Sequence, residues 1–203
     1  MEIKKIIGFC KSENTLRLFD GPDCQWISDG KAAYPLRGCP RFDEYSICLA
    51  YDIPEKKRGR MSITYDADKK LSLSFEDTIA NEQQCAYGEA IMGNAVPVTT
   101  EEGVKFINGK YFAPLGNVDS NMLFVFERRT EGGTPYFAIK EGFMLMAVVM
   151  PYECINESFV ERLREITQLC ELSLQNRQEF VERMKERENE QAISKIEAYE
   201  NLK

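Results

Sequence analysis

Residues 123–150 read LFVFERRTEGGTPYFAIKEGFMLMAVVM, and this stretch decides the fold class. Two runs rich in β-branched and aromatic residues, 123–128 and 135–140, flank the glycine-containing segment 131–133. Such runs on either side of a short glycine-containing turn predict a β-hairpin. Residues 143–150 are almost continuously apolar, which is typical of a strand buried on both faces. The stretch therefore predicts three strands of a mostly antiparallel sheet.

The rest of residues 1–152 has the same character. Asp29-Gly30 and Asn108-Gly109 are hairpin signals, because these residue types tolerate the positive φ angles of a type I′ turn. Further strands are predicted at 3–9, 15–19, 25–28, 32–36, 46–53, 61–65, 71–75, 104–107 and 111–115. The sequence therefore predicts an antiparallel, β-hairpin-rich domain over residues 1–152.

Two segments of this domain resemble each other. DGKAAYPL at 29–36 and NGKYFAPL at 108–115 share Gly, Lys, Pro and Leu at the same offsets. The match indicates an internal duplication, with residues 76–94 as a short helix or irregular connection between the two units. The alternative is that two hairpins reuse the same turn residues by chance.

Residues 153–203 are predicted to form one long helix, which makes the fold class α+β. No Gly or Pro follows Pro151, Asn156 is a good N-cap, and Glu157 suits the positive end of the helix dipole. The first half, to about residue 174, has a wide apolar face and is expected to dock on the sheet. The second half carries a narrower apolar stripe and charges of alternating sign, which favours a projecting solvated helix or a coiled-coil helix.

The composition excludes several kinds of active site. Histidine is absent from all 203 residues, which rules out Ser-His-Asp and Cys-His catalysis and histidine-ligated metal sites. Glycine-rich phosphate loops are also absent. Acidic pairs occur at 43–44, 76–77 and 101–102, but adjacent strand residues point to opposite faces. We therefore expect no catalytic residue, no metal and no cofactor, and a protein that is not an enzyme.

Cysteine usage and charge bear on compartment and partners. The seven cysteines are irregularly spaced without a C-x-x-C pair, which indicates reduced thiols and a cytoplasmic protein. The longest apolar run, 143–151, is far shorter than the about 20 residues that span a bilayer, so no membrane contact is expected. The net charge of −7 weighs against direct nucleic-acid contact, which depends on Lys and Arg.

Basic and aromatic side chains are the candidate contact residues. The candidates for an anion or partner contact lie in two basic segments, and they are Lys56, Lys57, Arg58, Arg60, Arg128 and Arg129. The alternative for both segments is a solvated charged loop or edge strand. The candidates for an interface are Trp26 and Tyr34, which flank a tight turn, and Phe180 and Met184 of the C-terminal helix. For Trp26 and Tyr34 the alternative is a place in the core.

Three segments carry a resemblance to other proteins. They are QWISDGKAAYPL at 25–36, YDIPEKKRGR at 51–60 and MPYECINESFVERL at 150–163. These segments resemble uncharacterised proteins of phages and mobile elements of anaerobic Gram-positive bacteria, over about residues 25 to 165. The resemblance implies no defined activity. It implies a context in which small acidic proteins, anti-CRISPR proteins among them, act on a host or element-encoded complex.

Two functions are expected from these observations. The first is a non-enzymatic, acidic binding or inhibitor protein with a protein partner, acting on a macromolecular complex such as a nucleic-acid-processing one. The second is a self-assembling structural or assembly protein of a phage or mobile element, which forms a homodimer through the C-terminal helix.

Overall fold

The computed structural model describes residues 1–66, 72–91, 94–116 and 118–200. The helices are α1 (Ile3–Glu13), α2 (Glu44–Ala50), α3 (Glu55–Arg58) and α4 (Glu157–Glu200). The strands are β1 (Thr15–Asp20), β2 (Gln25–Ser28), β3 (Ala32–Pro35), β4 (Ser62–Asp66), β5 (Gln83–Tyr87), β6 (Ala95–Thr100), β7 (Gly103–Asn108), β8 (Leu123–Arg129), β9 (Pro135–Glu141) and β10 (Met144–Val149). The chain divides into two compact units, Met1–Glu153 and Cys154–Lys203, and the predicted α+β class is confirmed.

The first unit is built on one sheet with the strand order β4-β1-β2-β3-β10-β9-β8-β5-β6-β7. Neighbouring strands are antiparallel except β1 and β4, which are parallel. The β8–β9 hairpin pairs seven residues in register, from Leu123 opposite Glu141 to Arg129 opposite Pro135. The hairpins predicted at 25–36 and 123–140 are thus confirmed, as is the apolar strand β10.

Each face of the sheet carries its own apolar cluster, because alternate strand residues point to opposite sides. Helix α1 contributes Ile6, Ile7 and Cys10 to the first cluster, which also contains side chains of β1, β2, β9 and β10. The segment 72–82 covers part of the opposite face, where Phe75 contacts the indole of Trp26 at a ring separation of 4.8 Å. The sheet is therefore packed on both sides.

Two segments predicted as strands are helices. In residues 3–9 the apolar side chains Ile3, Ile6 and Ile7, followed by Cys10, have the helical spacing that places them on one face. Residues 46–53 begin inside α2, whose N-terminus is capped by Asp43. The Asp43 carboxylate accepts from the backbone N–H of Ser46 at 2.6 Å, and the Asp43 N–H donates to Ser46 Oγ at 2.8 Å. This capping box outweighs the β-branched character of the segment.

Other strand predictions fail for local reasons. Residues 111–115 lie in the 3-10 helix Gly109–Leu115, and residues 72–75 form no strand, while residue 71 lies outside the described residues. Strand β6 was not predicted, and β5 lies inside the segment 76–94, which was predicted as a helix or irregular connection. Pro97 in β6 argues against a strand by sequence alone.

The two similar segments adopt different structures. Residues 29–36 form the β2–β3 turn and β3, whereas residues 108–115 end β7 and continue as a 3-10 helix. They share only the first step of the turn. Asp29 Oδ1 accepts from the N–H of Lys31 at 2.9 Å, and Asn108 Oδ1 accepts from that of Lys110 at 3.1 Å. Reuse of the same turn chemistry explains the sequence match without an internal duplication.

Helix α4 begins as predicted. The Asn156 side chain accepts from the N–H of Phe159 at 2.9 Å, which confirms the N-cap. Docking of its first half on the sheet stays a prediction. No helix among the described residues has the length and apolar character to span a membrane.

Candidate functional site

Helix α4 carries one largely apolar face, which we call the α4 stripe. Starting at Phe159, its central positions alternate in steps of four and three residues up to Met184, the spacing of a heptad repeat. The α4 stripe comprises Phe159, Leu163, Ile166, Leu169, Cys170, Ser173, Leu174, Arg177, Phe180, Val181 and Met184. Six of its large apolar side chains are at least 42% exposed, and Leu169 reaches 65%.

This exposure has a clear energetic meaning. Burying one such side chain contributes about 1.5–3 kcal/mol, so six of them represent a large unused driving force for association. Contiguous exposed apolar surface of this extent marks an interaction site in most proteins. Phe180 and Met184, predicted as interface residues, lie at the C-terminal end of the stripe and are 60% and 42% exposed.

Trp26 and Tyr34 occupy the core instead. They are 2% and 1% exposed, so neither offers a contact surface. The Trp26 indole packs against the rings of Phe75 and Phe19, with ring separations of 4.8 and 6.5 Å, and the Tyr34 hydroxyl donates to the Tyr111 carbonyl at 2.8 Å. The prediction that Trp26 and Tyr34 are interface residues is therefore wrong, and both belong to the core.

The basic residues 56–60 form the short helix α3 and the turn after it. Lys56 and Arg60 are exposed, and Lys57 is half-buried. The Arg58 guanidinium is engaged by intramolecular contacts. Its Nε donates to the Ile53 carbonyl at 2.8 Å, and its centre lies 5.9 Å from the Tyr45 ring centre. Only part of this predicted cation cluster is available to a ligand.

Arg128, predicted as a surface contact, is fully buried. Its Nε and Nη2 donate to Glu82 Oε2 at 2.9 and 2.5 Å. The remaining N–H groups donate to the carbonyls of Ser74, Glu76 and Asp77. All five donors are used inside the protein, so Arg128 fastens the segment 74–82 to β8 and does not bind an external anion.

Arg129 is half-exposed but already paired. Its Nη2 lies 2.9 Å from a carboxylate oxygen of both Glu102 and Glu127. The hydrogen bond from Arg129, with a second one from Lys105, lowers the pKa of Glu102 to about 2. Strand β8 also lies six positions from β4 in the sheet, about 29 Å at the usual strand spacing. The two basic segments therefore lie too far apart to bind the same small anion.

A cleft of about 290 Å³ lies where the two Gly-Lys turns meet. Lys31 and Lys110 line it together with Tyr111 and Tyr152. Both lysines bind the carboxylate of Glu13, with Nζ–Oε distances of 2.7 and 2.9 Å. These two hydrogen bonds, the one from Lys31 first, lower the pKa of Glu13. Both lysines are engaged by a carboxylate of the protein itself, so the bridge has a structural role.

The buried groups beneath this cleft are held protonated. Burial, with the nearby charge of Asp29, raises the pKa of the Cys10 thiol to about 12. Burial also raises the pKa of Tyr34 and of Tyr111, again with a contribution from Asp29. A thiol or phenol with a raised pKa is a poor nucleophile at neutral pH. All seven cysteines are free, and the described residues hold no cluster of three or more Cys, Asp or Glu suited to a metal ion.

The Glu13 bridge should respond to acid. A carboxyl whose pKa is lowered by folding stabilises the protein above its unfolded pKa, and that stability is lost as the pH falls through the folded value. We expect Glu13→Gln to cost about 0.5–1 kcal/mol at neutral pH, because the ion pairs are partly exposed. Urea unfolding should show the difference from wild type shrinking as the pH falls below about 4.3, the ordinary glutamate pKa. A difference independent of pH would contradict the bridge.

The sequence predicted neither the Glu13 bridge nor the burial of Arg128. The signal for the Glu13 bridge was present in the two matching Gly-Lys turns, which bring Lys31 and Lys110 to one carboxylate. No sequence signal distinguishes the buried Arg128 from the half-exposed Arg129 beside it.

No family model matches this chain, and no curated protein or solved structure is similar to it at the significance required of a match.

Proposed function

We propose that this chain is a non-enzymatic binding protein whose binding element is the α4 stripe. The observation that carries the proposal is the exposure of six large apolar side chains along one face of a single helix. An amphipathic helix that presents apolar anchors at steps of three and four residues is a recurrent mode of protein recognition.

Three features support a binding role rather than catalysis. The chain contains no histidine, the Cys10 thiol has a pKa raised to about 12, and the lysines of the cleft between the two Gly-Lys turns are paired with Glu13. The resemblance to phage and mobile-element proteins supports a host or element-encoded complex as the target, nucleic-acid-processing complexes included. The acidic net charge of −7 favours a basic surface on that target.

A pair of matched variants tests the role of the α4 stripe. Ile166→Glu with Phe180→Glu places two negative charges on the stripe, whereas Gln168→Glu with Gln175→Glu places the same charge on the opposite face. Tagged full-length chains would be used for capture from nuclease-treated lysate of the native host, with mass spectrometry as the readout.

We expect wild type and the opposite-face variant to retain the same stoichiometric partner, and the stripe variant to lose at least nine-tenths of it, about a tenfold change. Circular dichroism and thermal unfolding would establish that both variants fold. Equal recovery of the partner by the two variants would place the binding element elsewhere and overturn the proposal.

Self-assembly is the second candidate function, and the order of side chains along the stripe favours it. Among its central heptad positions, Phe159, Leu163, Phe180 and Met184 lie at the two ends, and the small residues Cys170 and Ser173 lie at the centre. Apart from Ile166 and Arg177, similar side chains occur at matching distances from the centre, which suits a self-complementary surface.

A further inference from the structure

We propose that the partner of the α4 stripe is a second copy of this chain, bound antiparallel about a two-fold axis between residues 171 and 172. This inference rests on the proposed function, because it takes the α4 stripe as the binding element, and it develops the second candidate function, self-assembly. It commits to the orientation and register of the two helices as well as to the partner.

The register follows from the heptad positions of the stripe. In an antiparallel pair each a position faces a d position, and placing the axis at 171–172 pairs the whole stripe with itself. Phe159 of one copy then faces Met184 of the other, and Leu163 faces Phe180. At the centre Cys170 faces Ser173, so large layers at the ends enclose small layers in the middle. Each layer occurs twice, once on each side of the axis.

One flank of the stripe favours this register, and the other carries like charges exposed to water. On one flank Val160 faces Val181 of the other copy, and Thr167 faces Leu174, so this side of the interface is largely apolar. On the other flank Arg162 faces Arg183 at the two ends. Arg183 is anchored in its own helix, since its Nη2 lies 3.8 Å from Glu179 and its Nε donates to the Glu179 carbonyl at 3.2 Å. Water screens this exposed pair of cations.

Arg177 decides between the two orientations. In a parallel, in-register pair, Arg177 of one copy would face Arg177 of the other in the apolar seam, where like charges repel without compensation. In the antiparallel pair Arg177 faces Ile166. The two Arg177 residues then lie eleven residues apart along the axis, about 16 Å at the usual helical rise. That distance exceeds the screening length of physiological salt.

The interface is large enough for a stable dimer. At about 100 Å² for each of the six exposed apolar side chains, the stripe contributes about 600 Å² per copy. Phe159, Leu163 and Cys170 add to this figure, which approaches the about 800 Å² per partner of a typical stable interface.

Sedimentation velocity of the full-length protein tests the partner. We expect wild type and the Gln168→Glu, Gln175→Glu variant to be dimers at micromolar concentration. The Ile166→Glu, Phe180→Glu variant should be monomeric, with at least a tenfold weaker self-association. A wild-type protein that remains monomeric up to high micromolar concentration would overturn the inference.

Cysteine cross-linking tests the orientation with minimal disturbance of the stripe. Ser173→Cys leaves Cys170 in place, so the antiparallel register juxtaposes Cys170 of one copy and residue 173 of the other. We expect a disulfide dimer on mild oxidation, with the 170–173 linkage identified by mass spectrometry. Wild type, which has only Cys170 on the stripe, and the Cys170→Ser, Ser173→Cys double variant should both cross-link at least tenfold less. Strong 170–170 or 173–173 linkages would instead establish a parallel pair and overturn the proposed orientation.

The same variants separate this inference from the proposed function. If wild type is monomeric but the stripe variant loses a captured partner, the self-association is wrong and the binding role of the stripe stands. If wild type is monomeric and both variants capture the same proteins, both proposals fail.

Discussion

Replacing Glu82 by glutamine will lower the free energy of unfolding by about 3–5 kcal/mol, the cost of leaving buried charges without their counterion. Glu82 is the carboxylate shared by two buried cations, because Arg128 is fully buried and Lys140 is 3% exposed. The glutamine amide has nearly the same shape, so the change removes charge and one acceptor while the packing remains. Chemical denaturation followed by circular dichroism measures the difference.

Glu2→Gln is the matched control for this change. Glu2 also pairs with a lysine, Lys5, at 2.8 Å, but both side chains are about half exposed. Water screens that pair, so we expect a change below about 0.5 kcal/mol. A loss below about 1 kcal/mol for Glu82→Gln would contradict the burial of the Arg128–Glu82–Lys140 cluster, since it would require water to reach both cations.

The consequence of losing Glu82 extends beyond the ion pairs. Arg128 also binds the carbonyls of Ser74, Glu76 and Asp77, and this fixes the segment that covers one face of the sheet. The Asp77 side chain in turn accepts from the N–H of Leu145 at 2.7 Å. We expect the segment 74–82 to exchange its amide hydrogens faster in the Glu82→Gln variant than in wild type.

The parts of the fold that follow from turn chemistry were predictable. Gly30 adopts a φ of +92° and Gly133 one of +80°. The glycines on which the two confirmed hairpins were predicted therefore supply the positive φ angles that their turns require. The cap of α4 by Asn156 was predictable for the same local reason. Helix α1 was not, because a short apolar run such as residues 3–9 fits a buried strand and a helix equally well. Its packing on β1 and on the 3-10 helix Gly109–Leu115 decides the matter, and the 3-10 helix lies about a hundred residues later in the chain.

The candidate site divides in the same way. The heptad spacing that leads to Phe180 and Met184 is visible in the sequence, and their exposure agrees with it. The role of Arg128 is not visible, because it depends on Glu82, which lies 46 residues earlier in the chain. Two neighbouring arginines on a hairpin predict surface charge. They point to opposite faces of the sheet, and the segment 74–82 packs over β8 and buries Arg128 while Arg129 stays half-exposed.

Trp26→Ala is expected to have a comparably large effect on stability, about 3–5 kcal/mol, because it removes a large side chain from a packed core. Trp26 is 2% exposed, and its ring centre lies 4.8 Å from that of Phe75 and 6.5 Å from that of Phe19. The backbone is fitted closely to the indole, since a Cβ at Gly21 would clash with Trp26 Nε1. Little collapse is available to fill the cavity that alanine would leave.

The conservative change Trp26→Phe separates packing from contact. Phenylalanine keeps an aromatic ring in contact with Phe19 and Phe75 but leaves part of the indole volume empty, so we expect about half the loss seen for alanine. Unfolding of both variants in urea, followed by circular dichroism, gives the comparison.

If Trp26 were an interface residue, both variants would retain the stability of wild type and lose only binding. Because the indole joins the segment around Phe75 to β1 and β2, the expected order of stability is wild type, phenylalanine, alanine. Equal stability of all three proteins would contradict the placement of Trp26 in the core.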